Sequence, residues 1–279
     1  MSVLTLHNTD GFLHFDQQQC REAGKALAES YQNAQPFPHI VIDNLLDLDL
    51  LRDVAANYPS LQGKEYFDRE QERLKSQFHA QEVSYGRTRN LLAELNSHAF
   101  LTFLQEMTGI KGLIPDPYFS GGGLHLTRAG GHLSVHADFN MHGKMKLERR
   151  LNLLVYLNDN WDESYGGNLE LWDKAMTKRE VSVLPILGRA VVFNTSLDSF
   201  HGQPDPVTCP PDRDRRSVAT YYYTALPLGE APTKIRTTTF QKRPGSKDVT
   251  DWKIKSTHFI KDWVPPRMQK FALRLNPFR

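Results

Sequence analysis

Eight short runs of β-forming residues follow one another over about 100 residues in the second half of this chain. They are separated by Gly, Asn, Asp and Pro, the residues that favour turns. Short strands at such close spacing are typical of two packed antiparallel sheets, so they predict a double-stranded β-helix, the cupin-like jelly roll. The runs are Leu124–Thr127, Leu133–Asp138, Leu151–Leu157, Asn168–Trp172, Glu180–Leu184, Ala190–Asn194, Ser199–Gln203 and Ser217–Thr224.

The first part of the chain has helical rather than strand periodicity. Apolar residues recur at helical spacing over residues 16–32, 45–58 and 91–107, and residues 40–42 predict a short buried strand. Residues 60–90 are charged and lack a clear period, so we expect a solvated loop or helix there. Amphipathic helices commonly pack on the outside of a sheet, which makes the chain an α+β protein.

The changes in sequence periodicity along the chain divide it into three parts. We expect a helical support region at 1–115, a jelly-roll core at 116–228 and a C-terminal extension at 229–279. Within the extension, Lys234–Phe240 predicts an exposed or edge strand, and residues 251–279 mix aromatic with basic side chains. This last segment could form a lid or peptide groove over a site, or an outer helix or homodimer contact.

Composition limits the partners and the compartment. The 34 Lys and Arg nearly balance the 32 Asp and Glu, so no phosphate-binding footprint dominates and nucleic acid is not an expected partner. The two cysteines, Cys20 and Cys209, lack metal-ligand spacing and favour a reducing compartment. The first residues lack a basic, apolar leader and no apolar run is long enough to span a bilayer. We therefore expect a cytoplasmic protein without a membrane partner.

The first candidate site residues are His136 and Asp138. Side chains two residues apart on a strand point to the same face, so these two could be two of the three ligands in a facial triad of two histidines and one carboxylate. A His-x-Asp pair is weak evidence by itself, since chance supplies about 0.7 in a chain of this composition. A second pair, His14 and Asp16, precedes a helical pattern, so Asp16 is better explained as a helix N-cap.

His201 and an Arg-x-Ser pair complete the constellation. His201 lies 65 residues after His136, beyond the apolar run 190–194, where a neighbouring jelly-roll strand would bring it close. Two histidines and a carboxylate suit Fe(II). Arg215 and Ser217 share one strand face and could hold a carboxylate through charge-assisted hydrogen bonds. Period two places Arg216 on the opposite face.

Taken in order, these residues resemble the Fe(II)- and 2-oxoglutarate-dependent oxygenases, and most closely their prolyl-hydroxylase-like branch. The likeness spans residues 120–226. It includes Tyr156–Trp161, similar to that branch's Tyr-Leu-Asn-x-x-Trp segment, and Gly166–Leu169, similar to its Gly-Gly-x-Leu segment.

The resemblance implies a dioxygenase that couples decarboxylation of 2-oxoglutarate by O2 to hydroxylation of an unactivated C–H bond, with ascorbate as a candidate reductant. His136, Asp138 and His201 would be the iron ligands, and no protein nucleophile or general base is required. Arg215 and Ser217 would bind the far carboxylate of 2-oxoglutarate, with a hydrogen bond from Tyr156. Many members have a tyrosine where this chain has Thr127, so Thr127 or His125 would contact the co-substrate instead.

The sequence leaves the substrate open. A peptidyl side chain, with proline first, is one hypothesis; an amino acid, sugar or natural-product intermediate is another. Asn140, Arg128 and Trp172 are candidate substrate contacts because they are near the ligand strands in sequence. A non-catalytic cupin-like binding module should lack one ligand or the arginine, whereas this chain has all four. A zinc hydrolase on the same scaffold would need an acid/base carboxylate and would not need Arg215 and Ser217.

Overall fold

The computed structural model describes residues 2–59, 65–230 and 234–276. Its helices are α1 (Gln17–Gln32), α2 (Leu48–Ala56), α3 (Gly86–Glu94), α4 (His98–Thr108), α5 (Trp252–Trp263) and α6 (Pro266–Arg274). Its strands are β1 (Leu6–Thr9), β2 (Phe12–Phe15), β3 (His39–Ile42), β4 (Glu65–Arg69), β5 (Glu72–Phe78), β6 (Ile114–Pro115), β7 (Gly123–Ala137), β8 (Glu148–Tyr156), β9 (Leu169–Trp172), β10 (Arg179–Val183), β11 (Ala190–Asn194), β12 (His201–Gln203), β13 (Asp214–Thr224) and β14 (Thr239–Phe240).

The long strand β7 organises the sheet. Residues 123–128 pair with β13, whereas residues 133–136 pair with β12. The strand passes from one layer to the other at a glycine pair, where Gly130 has a φ of +82° and a Cβ on Gly131 would lie 2.7 Å from the carbonyl oxygen of Arg73. Only glycine accommodates both the left-handed backbone and this close approach.

The strands follow the order β10-β9-β12-β7-β13-β8-β11-β3 with antiparallel pairing. The prediction of a double-stranded β-helix is therefore confirmed. The runs Leu124–Thr127 and Leu133–Asp138, expected as separate strands, are one bent strand that ends at Ala137. The apolar side chains of the first layer, including Leu124, Leu153 and Val218, pack on the N-terminal helices in one core.

Helix α1 begins where the sequence predicted. The Asp16 side chain accepts a hydrogen bond from the Gln19 backbone N–H, so it caps the helix as expected. Helix α1 packs against α4 at Gly24, where a Cβ would lie 2.5 Å from the carbonyl oxygen of Phe103. The expected strand at residues 40–42 is part of β3, which pairs with β11.

Two expectations for the first half were wrong. Residues 65–78 form the hairpin β4–β5, whose second strand pairs with β7, rather than a solvated loop or helix. The hairpin sequence does not alternate between apolar and polar residues, because several of its polar side chains line a cavity. Residues 60–64 lie outside the described part of the chain. The helix expected at 91–107 is two helices, because Ser97 caps α4 by accepting a hydrogen bond from the Phe100 N–H.

The C-terminal segment returns to the barrel before it ends in two helices. Of the edge strand expected at Lys234–Phe240, only β14 forms; it pairs with the last residues of β7, His136 and Ala137. None of the described helices is long and apolar enough to cross a membrane. The division of the chain at residues 115 and 228 stays a prediction.

Candidate metal centre

His136, Asp138 and His201 lie together at one end of the jelly roll. His136 and His201 are direct register partners on β7 and β12, with ring centroids 4.5 Å apart. The Asp138 carboxylate lies 3.6 Å from Nε2 of His136 and 3.4 Å from Nε2 of His201. One ligand atom from each side chain falls within 4.8 Å of the other two, a spacing that a single metal ion can span.

Both imidazoles are oriented in the same way. Nδ1 of His136 lies 2.9 Å from the carbonyl oxygen of Ser134, and Nδ1 of His201 lies 2.9 Å from that of Ser199. A carbonyl can only accept a hydrogen bond, so each Nδ1 donates to its carbonyl and each Nε2 is the nitrogen that faces Asp138. Metal-binding histidines commonly have this orientation, with one ring nitrogen toward the metal and the other ring N–H held by a carbonyl. The donor set therefore fits a divalent metal of the Fe(II) type.

Asp138 is held by two side chains of β8. The Arg149 guanidinium lies 3.0 Å from Oδ2 of Asp138, and the Asn152 amide donates to the same oxygen at 2.8 Å. Burial alone would raise the pKa of Asp138, but the positive charge of Arg149, with the neighbouring His201 and His136, holds that pKa well below its usual range. The carboxylate is therefore ionised and ready to bind a cation.

Arg149 is buried beside this carboxylate, and the sequence did not reveal it. Its guanidinium carbon lies 3.5 Å from the Tyr221 ring centroid and 4.6 Å from that of Phe139, so it is stacked between two aromatic rings. Its Nε and one terminal nitrogen also donate to Asn152. In the sequence it is one of two adjacent arginines, and only its inward position in β8 distinguishes it from Arg150.

A cavity of about 240 Å³ opens beside the triad. Two rows of register partners form part of its wall: Lys75, Thr127 and Arg215 in one row, and Gln77, His125 and Ser217 in the next. The candidate metal ligands and the Arg-x-Ser pair thus face one chamber.

Arg215 has the inward position that period two predicted. Its Nε donates to the carbonyl oxygen of Gly167 at 2.6 Å, and a terminal nitrogen lies 3.3 Å from the Tyr156 hydroxyl. Arg216 faces the other way, where it donates to the carbonyl oxygen of Ala55 and stacks over Tyr58. Tyr156 is fully buried behind Arg215, and the described lining of the cavity does not include it.

Thr127 and His125 both line the cavity, so the structure leaves both as candidates for contact with a bound acid. Nε2 of His125 lies 3.0 Å from the carbonyl oxygen of Gly121 and therefore carries the proton. Burial, and then the nearby charge of Lys75, lower the pKa of His125 well below its usual value. His125 is a neutral polar group on the chamber wall.

The mouth of the chamber is formed by two segments that the sequence did not connect to the site. The β4–β5 hairpin contributes Arg69 and Lys75, which lie 3.1 and 2.8 Å from the buried Glu72 carboxylate. Residues 234–240, which we call the strap, contribute Phe240, whose ring lies 5.6 Å from that of His136. The Arg69 guanidinium carbon lies 5.3 Å from the Phe240 ring centroid, so hairpin and strap meet there.

The described lining includes none of the three residues selected as substrate contacts. Asn140 holds the strap, donating to the Lys234 carbonyl oxygen and accepting from the Arg236 N–H. Trp172 is buried, and its indole N–H donates to Glu170. Arg128 is opposite Asp214 in the β7–β13 register. Nearness in sequence to the ligand strands did not place these side chains in the chamber.

Comparison with known proteins identifies the domain that carries this centre. Residues 122–223 match the family model of the 2OG-Fe(II) oxygenase superfamily. No curated protein sequence matches the chain.

Two prolyl hydroxylases are among the solved structures that share the fold. A Pseudomonas putida prolyl-4-hydroxylase is 18% identical with a TM-score of 0.53, covering 72% of this chain and 98% of that chain. A Trichoplax adhaerens prolyl hydroxylase, solved with a peptide fragment of the hypoxia inducible factor oxygen degradation domain, is 15% identical with a TM-score of 0.51, covering 74% of this chain and 91% of that chain. At these identities the likeness concerns the jelly-roll fold alone.

Proposed function

Because residues 122–223 make this chain a dioxygenase of the 2OG-Fe(II) superfamily, which uses Fe(II), 2-oxoglutarate and O2, we propose that it hydroxylates a peptidyl side chain, with proline first. The observation that carries this proposal is the common chamber of the triad and Arg215. When bound, iron and 2-oxoglutarate supply the oxidising chemistry that inserts oxygen into a C–H bond. The protein contributes binding, orientation and electrostatics.

The proposal gives roles to the triad, to Arg215 and Ser217, and to side chains that hold them in place. His136, Asp138 and His201 would hold the metal, with Arg149 keeping the Asp138 carboxylate ionised and oriented. Arg215 and Ser217 would bind the distal carboxylate of 2-oxoglutarate. The Tyr156 hydroxyl, next to the Arg215 guanidinium, would fix that guanidinium in place. Among the chamber residues His125 stays neutral, and the proposal assigns no group the role of general base.

A peptidyl side chain suits the size and lining of the chamber. About 240 Å³ admits a side chain rather than a folded segment, so a peptide backbone would stay at the mouth. The lining includes the rings of Phe67 and Phe240, against which an apolar ring such as proline could pack. Two of the structures that share the fold are prolyl hydroxylases, one of them solved with a peptide, and the peptidyl substrate is proposed by analogy with them.

The charge of the chamber favours a second candidate, a small molecule with an acid group. The described lining contains four fixed cations and two carboxylates, a net charge of +2: Arg69, Lys75, Arg149 and Arg215 against Glu72 and Asp138. The charges of Fe(II) and of the 2-oxoglutarate dianion cancel each other. The net positive charge of the lining would therefore be neutralised by an anionic substrate. An amino acid, a sugar acid or a peptide with an acidic neighbour would neutralise it.

A mass-spectrometric screen tests the proposal. The enzyme is incubated with proline-containing peptides, each with a neutral and an acidic version, and with small metabolites as matched acid and amide pairs. We expect a one-oxygen mass gain on a peptide that requires both Fe(II) and 2-oxoglutarate and is absent with Asp138→Ala. If peptides fail and only small acids gain oxygen, the second candidate replaces the first. A gain that persists without 2-oxoglutarate would contradict both.

A further inference from the structure

The C-terminal helices carry large apolar side chains that are more than half exposed. On α5 they stand at spacing i, i+7 and i+11, and on α6 with its C-cap residue at i, i+3 and i+7, so each set lies on one face of its helix. Trp263 is 76% exposed and Phe271 63% exposed. Single exposed apolar residues are ordinary, but several on one face of a helix indicate a contact surface. We call these six residues the apolar face: Trp252, Phe259, Trp263, Met268, Phe271 and Leu275.

Basic side chains accompany this apolar face. Arg267, Lys270 and Arg274 each precede one of the α6 apolar residues, so they flank its stripe. Lys253, Lys270 and Arg274 also line a cleft of about 450 Å³ between the two helices, together with Thr257 and Asn276. Among the described residues, no carboxylate lies within ion-pair distance of these three cations.

The positive charge of the protein is concentrated here. The last 29 residues contain seven of the 34 Lys and Arg but only two of the 32 Asp and Glu, so the other 250 residues carry a net charge of −3. One of those two acids, Asp262, is already paired with Arg236 at 2.5 Å. A partner that covers the apolar face should therefore carry both apolar and anionic groups.

We propose that α5 and α6 dock on the surface of an anionic phospholipid membrane, with the apolar face in the headgroup region and the basic cleft holding lipid phosphates. Helices with aromatic and aliphatic residues on one side and Lys and Arg on the other lie in this interface without crossing it. A symmetric contact with a second copy would bring the same cations together, so charge disfavours that occupant. The proposal departs from the expectation of no membrane partner, which rested on the lack of a leader and of an apolar run long enough to span a bilayer.

The docking surface is linked to the mouth of the chamber. Arg236 of the strap pairs with Asp262 of α5, and the Thr237 hydroxyl lies 3.1 Å from Nε2 of His258 on the same helix. The strap then continues into Phe240, which lines the chamber. Docking would therefore act on a segment that contacts the chamber wall, which goes beyond the proposed reaction and does not depend on it.

Vesicle binding by the full-length protein tests the proposal. We compare vesicles of phosphatidylcholine alone with vesicles that contain about one third phosphatidylserine, by sedimentation and by tryptophan fluorescence. Trp161 and Trp172 are buried, so Trp252 and Trp263 report a change of surroundings. We expect a blue shift and at least about tenfold stronger partition to the anionic vesicles.

Matched variants separate apolar from charge contributions. Trp252→Asp with Trp263→Asp, and separately Lys253→Glu with Lys270→Glu, should each reduce partition at least about tenfold. Phe12→Asp, at a 73% exposed position on β2, and Lys25→Glu with Lys178→Glu should leave it unchanged. Circular dichroism checks that every variant folds.

Several outcomes would overturn the proposal. The first is equal partition to both kinds of vesicle, or none. The second is an equal loss in the control variants. The third is self-association in ultracentrifugation that the Trp252→Asp, Trp263→Asp variant abolishes, without vesicle binding, since this would assign the face to a second copy. The last is a response to inorganic phosphate without vesicle binding, which would assign the cleft to a free anion.

Discussion

The Arg149 guanidinium lies 3.0 Å from Oδ2 of Asp138, and both side chains are largely buried. A buried ion pair of this kind is costly to break from one side, because the remaining charge loses its partner in a medium where water cannot replace it. Here the remaining charge would be the candidate carboxylate ligand. The pair therefore connects the stacking of Arg149 between Phe139 and Tyr221 to the geometry of the metal centre.

Replacing Arg149 should weaken metal binding. We expect Arg149→Met to lower Fe(II) affinity by about 10- to 100-fold, the usual effect of removing a group that orients a metal ligand. Anaerobic calorimetry with Fe(II) measures it. The matched control is Arg150→Met, since Arg150 is the next residue of β8 and lies on its partly exposed outer face. If both variants bound Fe(II) as the wild type does, Arg149 would have no part in holding Asp138.

The three proposed ligands should be individually essential. We expect Asp138→Ala and His201→Ala to abolish Fe(II)-dependent succinate formation and to remove the calorimetric Fe(II) signal. The two ligands that remain in each variant cannot hold the metal as the set of three does. His14→Ala is the control, since His14 belongs to the other His-x-Asp pair, lies on β2 and does not line the chamber. Undiminished turnover by either ligand variant would contradict the assignment.

Arg215 and Arg216 should differ in their effect on 2-oxoglutarate. Loss of a charge-assisted hydrogen bond costs about 1.5–3 kcal/mol, so Arg215→Ala should raise the KM for 2-oxoglutarate by about 10- to 100-fold. Arg216→Ala should leave that KM near the wild-type value, because Arg216 contacts Ala55 and Tyr58 on the opposite side of β13. Succinate formation at varied 2-oxoglutarate measures both. The reverse result would mean that a different residue binds the distal carboxylate.

The sequence predicted what local periodicity determines. Period two placed Arg215 inward and Arg216 outward, and the jelly-roll pattern implied that His201 would meet His136 across 65 residues. It did not predict Arg149, because no second motif residue, as Ser217 is for Arg215, indicated which of the adjacent Arg149 and Arg150 faces inward. It also missed the β4–β5 hairpin: Lys75 and Gln77 alternate toward a polar chamber, so they lack the apolar signal by which strands are recognised.

At the contact between α1 and α4, helix propensity and packing predict opposite effects of a Gly→Ala substitution on stability. Replacing a glycine within a helix by alanine ordinarily stabilises it by up to about 1 kcal/mol. At Gly24, however, the added Cβ would lie 2.5 Å from the Phe103 carbonyl oxygen, which is backbone and cannot move aside. Overpacking of this kind costs about 1–3 kcal/mol, so we expect Gly24→Ala to lower the free energy of unfolding.

Gly86 provides the matched control for Gly24. It begins α3, and an added Cβ there would meet nothing within 4 Å. Gly86→Ala should therefore leave the free energy of unfolding unchanged or raise it by up to about 1 kcal/mol, because only the backbone entropy of the unfolded chain changes. Urea unfolding of both variants measures the difference. Equal stabilisation by the two substitutions would mean that α1 and α4 do not approach this closely, and that the helical support of the jelly roll is packed differently.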